Sequence, residues 1–148
     1  MQLEALVSSI CKNTPEIKAK ENVEVTCTPF PSIRSSKLAL TIVLRNLIEN
    51  GIKYNDKVTP QITIRGNVED GMARIQIADN GTGIEEKYFE EVFEMFKRVN
   101  TSYLKGSGLG LNISRNLIRR LGGEIFIAKS EVGVGTTFQV NFPVVMSD

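Results

Sequence analysis

Three short stretches carry residue types that could handle a cation, a phosphate or a purine base. In "RNLIENGIK", Asn46, Asn50 and Lys53 fall at i, i+4 and i+7, which on a helix makes one polar stripe. Asparagine is a mediocre helix former that prefers caps and turns, so two of them on one stripe need a reason. Amide oxygens suit a hard cation that keeps most of its waters, and Lys53 would add charge toward phosphates; a plain solvated face fits the spacing as well. In "ADNGTGIEE", Asp79 closes an apolar run just ahead of Gly81 and Gly83. A carboxylate held at a strand end can accept a hydrogen bond from an exocyclic amine such as adenine's, and glycines let a ring lie against the backbone. The same residues also make an ordinary turn. In "KGSGLGLNISR", Gly106, Gly108 and Gly110 stand directly before an amphipathic run. Free N–H groups at a helix start can hold an anion, while a glycine cluster can equally be a flexible linker. The GxGxG spacing, placed after a loop that follows a helix, is not the GxGxxG of a dinucleotide fold.

Composition narrows the chemistry further. The chain has 148 residues, with 18 basic and 17 acidic side chains, so no global charge points to nucleic acid or an anionic membrane. It contains no histidine, which excludes a His-based triad, a His-ligated zinc and a histidine base from its own side chains. No GxxxxGK[ST] loop is present, so it is not a P-loop nucleotide binder. Cys11 and Cys27 lack CxxC or metal spacing and read as reduced core residues. No apolar run approaches the roughly 18 residues of a membrane span, and no signal-peptide pattern opens the chain. These features predict a cytoplasmic setting.

The elements that must position those residues follow from periodicity. Leu3, Leu6, Val7 and Ile10 predict a helix from Met1 to about Lys12, and "NVEVTCT" alternates as a strand over Asn22–Thr28. Pro29 and Pro31 then break the chain. Ser36 is a candidate N-cap for a long helix whose apolar face is Leu40, Val43, Leu44 and Leu47. Ile62, Ile64 and Val68, then Ile75 and Ile77, alternate on either side of Asp70-Gly71, a hairpin signal. Phe89, Val92, Phe93 and Phe96 predict a helix over Glu85–Val99, followed by a loop over 100–108. A further helix runs to about Leu121 and ends at Gly122-Gly123. "EIFIAKS" and "TTFQVNF" close the chain as a second strand pair. Helices mixed with adjacent antiparallel strands predict an α+β two-layer sandwich, helices on one face of a mixed, mostly antiparallel sheet.

The order of the motifs is more telling than any one of them. N-L-I-E-N-x-x-K-Y, D-N-G-T-G-I, F-E-M-F-K-R, G-S-G-L-G-L and G-V-G-T-T-F succeed one another between about Leu38 and Pro143. This resembles the catalytic ATP-binding domain of sensor histidine kinases, built on the Bergerat fold shared with gyrase B, Hsp90 and MutL. The resemblance implies ATP and Mg2+ as cofactors, with Asn50 as the magnesium ligand and Asn46 supporting the metal-phosphate site. It implies that Lys53 reaches a phosphate, Tyr54 lines the adenine pocket and Asp79 takes the adenine amine, helped by Thr136. Gly81 and Gly83 would permit close approach of the nucleotide. Phe93 and Phe96 would anchor a lid over residues 97 to 110, with Arg98 and Lys105 meeting the terminal phosphates. Gly106, Gly108, Leu109, Gly110 and Leu111 would form its hinge and phosphate cradle.

The departures from the family pattern are Gly51, where alanine is usual, and Met95, where proline is common. Neither touches the implied chemistry. ATPase relatives place a water-activating glutamate one turn before the metal asparagine. Here that position is Asn46, which cannot act as a base, and Glu49 lies about 100° around the helix from Asn50. The resemblance therefore implies a kinase rather than a hydrolase. The alternatives are a nucleotide-binding interaction module without transfer, and a serine kinase or ATPase of the same superfamily. With no histidine present, the implied acceptor lies on a separate dimerisation domain, and a response regulator acts downstream. Residues 1–148 read as one domain, with 1–20 as the junction to that upstream domain. The domain is expected to be monomeric, without nucleic-acid or direct membrane contact.

Overall fold

The computed structural model describes residues 1–15, 17, 22–94 and 110–146. Helix α1 spans Leu3–Asn13, β1 Glu24–Cys27, β2 Ile33–Arg34 and the long helix α2 Lys37–Lys53. The hairpin strands are β3, Gln61–Glu69, and β4, Met72–Asp79. After two 3-10 turns come α3, Gly110–Arg120, then β5, Glu124–Glu131, β6, Gly135–Pro143, and β7, Val145–Met146. The main sheet has the order β1-β3-β4-β6-β5, parallel only between β1 and β3, and β2 pairs with β7 in a separate antiparallel ribbon. The α+β two-layer architecture expected from the sequence is the one observed.

Alternation along the strands decides where the core sits. Ile62 and Ile64, Ala73, Ile75 and Ile77, Phe138, Val140 and Phe142, and Ile125 and Ile127 are all buried. They meet Leu40, Val43, Leu44, Leu47, Ile48 and Ile52 of α2. Arg65, Asn67 and Arg74 face away from that core and are exposed. Each fully buried Ile or Leu contributes about 1.5–3 kcal/mol through area removed from water, so the layer is held mainly by this one apolar seam.

Local chemistry sets the boundaries. The Ser36 hydroxyl accepts the Ala39 N–H at 3.1 Å and caps α2. Asp70 and Gly71 both take positive φ, 54° and 73°, the type I′ geometry whose twist matches a tight hairpin. At the end of α3, Gly123 N–H donates to Ile118 C=O and Gly122 N–H to Arg119 C=O, each at 3.0 Å, which is a Schellman closure.

The helix expected over Glu85–Val99 is not formed in its described part. Instead there are 3-10 turns at Glu86–Tyr88 and Glu91–Phe93, and Glu94 returns to extended backbone. The hydrogen bonds there are all i to i−3: Tyr88 to Glu85, Phe89 to Glu86, Phe93 to Glu90 and Glu94 to Glu91. The reason is tertiary. Phe93 is drawn into the core edge-on to Phe138, with ring centroids 6.1 Å apart, and packing overrides the apolar spacing that suggested a continuous helix. Residues 95–99 of that expected helix, and the loop expected over 100–108, lie outside the described residues.

Candidate functional site

Asp79 ends β4 with its side chain largely enclosed. Its Oδ1 accepts the N–H of Gly81 at 2.9 Å and that of Thr136 at 3.2 Å. Burial pushes its carboxyl up to about 6, opposed by those two N–H groups and by the charge of Lys57. Among the described residues no hydrogen bond reaches Oδ2. That oxygen lies beside α2, since a Cβ on Gly51 would stand 3.4 Å from it.

Asn50, the residue before Gly51, is half-buried, and its side-chain amide makes no hydrogen bond among the described residues. Lys53, one turn further, carries its Nζ 5.4 Å from the centre of the Tyr54 ring. Tyr54 caps α2, and its carbonyl accepts from the N–H and the hydroxyl of Thr82 at 3.0 and 3.3 Å. The end of β4 and the last turns of α2 thus carry a carboxylate oxygen, an amide and an ammonium group.

Asn46 sits differently. Its Nδ2 donates to Gly110 C=O at 3.1 Å and to Ser114 Oγ at 3.0 Å. Both amide hydrogens are thereby used to hold the first turn of α3 against α2, leaving Oδ1 as its remaining polar atom. Gly110 and Leu111 begin α3 at that contact. Arg98, Lys105, Gly106, Gly108 and Leu109 lie outside the described residues, as does Phe96.

Residues 35–146 match the model of the histidine kinase-, DNA gyrase B- and HSP90-like ATPase family. The chain belongs to this family. It is 30% identical to the phytochrome-like protein Cph1 of Synechocystis over 96% of its own length and 19% of that protein. It spans 13–25% of the length of curated relatives such as this one. Its fold matches full-length ShkA, solved with AMPPNP, at a TM-score of 0.83 and 24% identity, covering 99% of this chain and 31% of that one. The mycobacterial sensor histidine kinase MprB gives 0.83 at 21% identity, covering 99% of each chain.

Within this ATPase-family fold, several supporting residues lie outside the set expected from the sequence. Asn80 Oδ1 accepts from Gln61 N–H and Asn55 Nδ2, both at 2.8 Å, and its Nδ2 donates to Thr59 C=O at 3.1 Å. Asn55 also donates to Gly51 C=O at 3.0 Å. Together they tie the end of α2 to the strand end that carries Asp79. An asparagine between Asp79 and Gly81 was a hint, since Asn often bonds nearby backbone. Ser130 gave none. Its hydroxyl accepts Ile84 N–H at 2.7 Å, donates to Gly135 C=O at 3.1 Å and meets Thr136 Oγ1 at 2.8 Å. Thr136 itself is buried and supports Asp79 through its backbone N–H.

The glycines have a structural role here. A Cβ on Gly81 would run into Tyr54 C=O, and one on Gly83, at φ 78°, into the backbone of Glu131 and Val132. The atoms crowding both positions belong to the protein itself.

Proposed function

We propose that this domain binds Mg-ATP and delivers its γ-phosphoryl group to a histidine on a separate dimerisation domain of the same kinase. One observation carries the reading. Asp79 Oδ2, beside Gly51 of α2, and the Asn50 amide on the same helix are two part-buried polar groups, both without a protein partner among the described residues. Buried polar atoms normally have partners, so groups left open suit a ligand that brings them.

In this reading Asp79 accepts the adenine amine and Lys53 leaves the Tyr54 ring to meet a phosphate. Asn50 offers a neutral, hard oxygen that fits magnesium retaining most of its ligands as water and phosphate. Magnesium, when bound, neutralises charge on the phosphates. The Asn46 hydrogens hold α3, and an amide cannot activate water, which favours transfer over hydrolysis. Arg98 and Lys105 keep their proposed place at the terminal phosphates, and Gly106, Gly108, Leu109, Gly110 and Leu111 theirs at the cradle. No described helix is long and apolar enough to cross a membrane. The domain would act as the cytoplasmic part of a sensor, with a response regulator downstream.

The test is calorimetric titration with a non-hydrolysable ATP analogue, with and without magnesium, followed by label transfer to the parent protein's histidine domain. Magnesium-assisted binding that loses its magnesium dependence in Asn50→Ala is the expected result. A folded chain that takes up no analogue would sink the reading.

A further inference from the structure

We propose that Arg115 is a positioning residue for the phosphate end of the nucleotide. This rests on the nucleotide reading above. Arg115 lies on the second turn of α3 with its side chain only 15% exposed. Its guanidinium donates to Glu90 at 3.0 Å and to Glu124 at 3.3 Å, and its Cζ stands 4.8 Å from the centre of the Phe93 ring. Three groups from two other elements therefore hold one planar fork: a carboxylate and a ring from the 3-10 segment, and a carboxylate from β5. A guanidinium meets all three, because it pairs along its edge while stacking on its face.

The clamp has a second point. Asn112 Nδ2 donates to Phe93 C=O at 3.2 Å, so the start of α3 is fastened twice to the Glu90–Phe93 segment. Its other side is fastened to α2 by Asn46, through Gly110 C=O and Ser114 Oγ. Phe93 is in turn locked into the sheet by Phe138. The first turns of α3 are thereby triangulated against α2, the sheet and the 3-10 segment, beside the α2 stripe that carries Asn46 and Asn50. The surroundings of Asp79 are built from β4, β6 and the 130–136 turn, and among the described residues Arg115 makes no hydrogen bond or ion pair with them.

That separation gives the clamp a distinctive signature. Loosening it should disturb whatever binds at the α2–α3 junction and leave the base-binding end alone. The measurement is affinity for ATP, ADP and adenosine, by calorimetry and chemical-shift titration, on the wild-type chain and on Arg115→Ala, Arg115→Lys and Glu90→Gln. For Arg115→Ala we expect ATP affinity to fall by about tenfold or more, ADP affinity to fall less, and adenosine affinity to stay within about twofold. Arg115→Lys keeps the charge but cannot span both carboxylates and the ring, so it should recover part of the loss, and Glu90→Gln should reproduce part of it. Equal loss of ATP and adenosine would make Arg115 a merely structural residue, and unchanged ATP binding would overturn its role outright. If Arg115→Ala does not fold, the lysine and glutamine variants still decide by the same ratio. A wild-type chain that binds no ATP would instead remove the nucleotide reading itself.

Discussion

Asp79 is where stability and function pull apart. Its carboxyl is raised to about 6 by burial, so the folded chain holds that proton more tightly than the unfolded one, whose value lies near 4. The ionised form therefore destabilises the fold, by nothing below about pH 4 and by an amount on the order of 3 kcal/mol once pH passes 6. Asp79→Asn keeps an oxygen for the Gly81 and Thr136 N–H groups and removes the charge. We expect its melting temperature to rise by several degrees at pH 7.5 and to be unchanged at pH 4, as read by thermal melts across pH. The same change puts an N–H2 group where an amine donor would dock, so nucleotide affinity should fall at least about 100-fold. In the wild type, ATP affinity should weaken as pH drops through 6 and the acceptor oxygen gains its proton. A titration flat between pH 5 and 7.5 would contradict that. Asp79 and Asn50 stood out by type and spacing, but a turn and a solvated face fitted the same residues, and only the order of the motifs implied their roles. Asn80 and Ser130 were not singled out, because the N–H groups they satisfy, of Gln61 and Ile84, lie 19 and 46 positions away.

At the scale of elements, a single extra residue in β5 is what places Ser130. The register slips between Ile127 and Lys129, after which Ser130 pairs with Thr136 and Glu131 with Gly135. A one-residue bulge reverses which face each later side chain points to. Without it Ser130 would face away from the buried side on which Ile125 and Ile127 lie. With it the hydroxyl comes in beneath Thr136 and satisfies Ile84 N–H. Ser130→Ala should therefore leave that N–H unpaired and lower stability by about 1–3 kcal/mol, measured by urea unfolding. It should weaken ATP binding less than Asp79→Asn does, since Thr136 N–H remains. The segment from Glu85 teaches the complementary lesson. Its apolar residues repeat at helical spacing, yet the spacing only states which side chains must be buried. Phe93 reaches Phe138 by way of 3-10 turns.

For the molecule as a whole, the two faces of the sheet predict opposite tolerance. Ile48 is completely buried between α2 and the strands, and Ile48→Ala should lower stability by about 2–5 kcal/mol. Arg65 stands on the outer face with its Nε donating to Gln76 at 3.3 Å, and Arg65→Ala should stay within about 0.5 kcal/mol. Chemical denaturation of the two variants side by side checks both. What the sequence by itself determined was the set of elements with strong periodicity or explicit punctuation: the capped α2, the Asp70-Gly71 hairpin, the Gly122-Gly123 stop and the apolar faces that make two layers. Those are local, because a cap, a turn or an alternation is specified by residues within a few positions of one another. Only the tertiary structure decided the parallel β1–β3 pairing, the bulge in β5, the 3-10 path to Phe93, and which hydrogens of Asn46 are used by α3. Each depends on contact with another element, and the free energy of such contacts is settled by packing rather than by any local pattern.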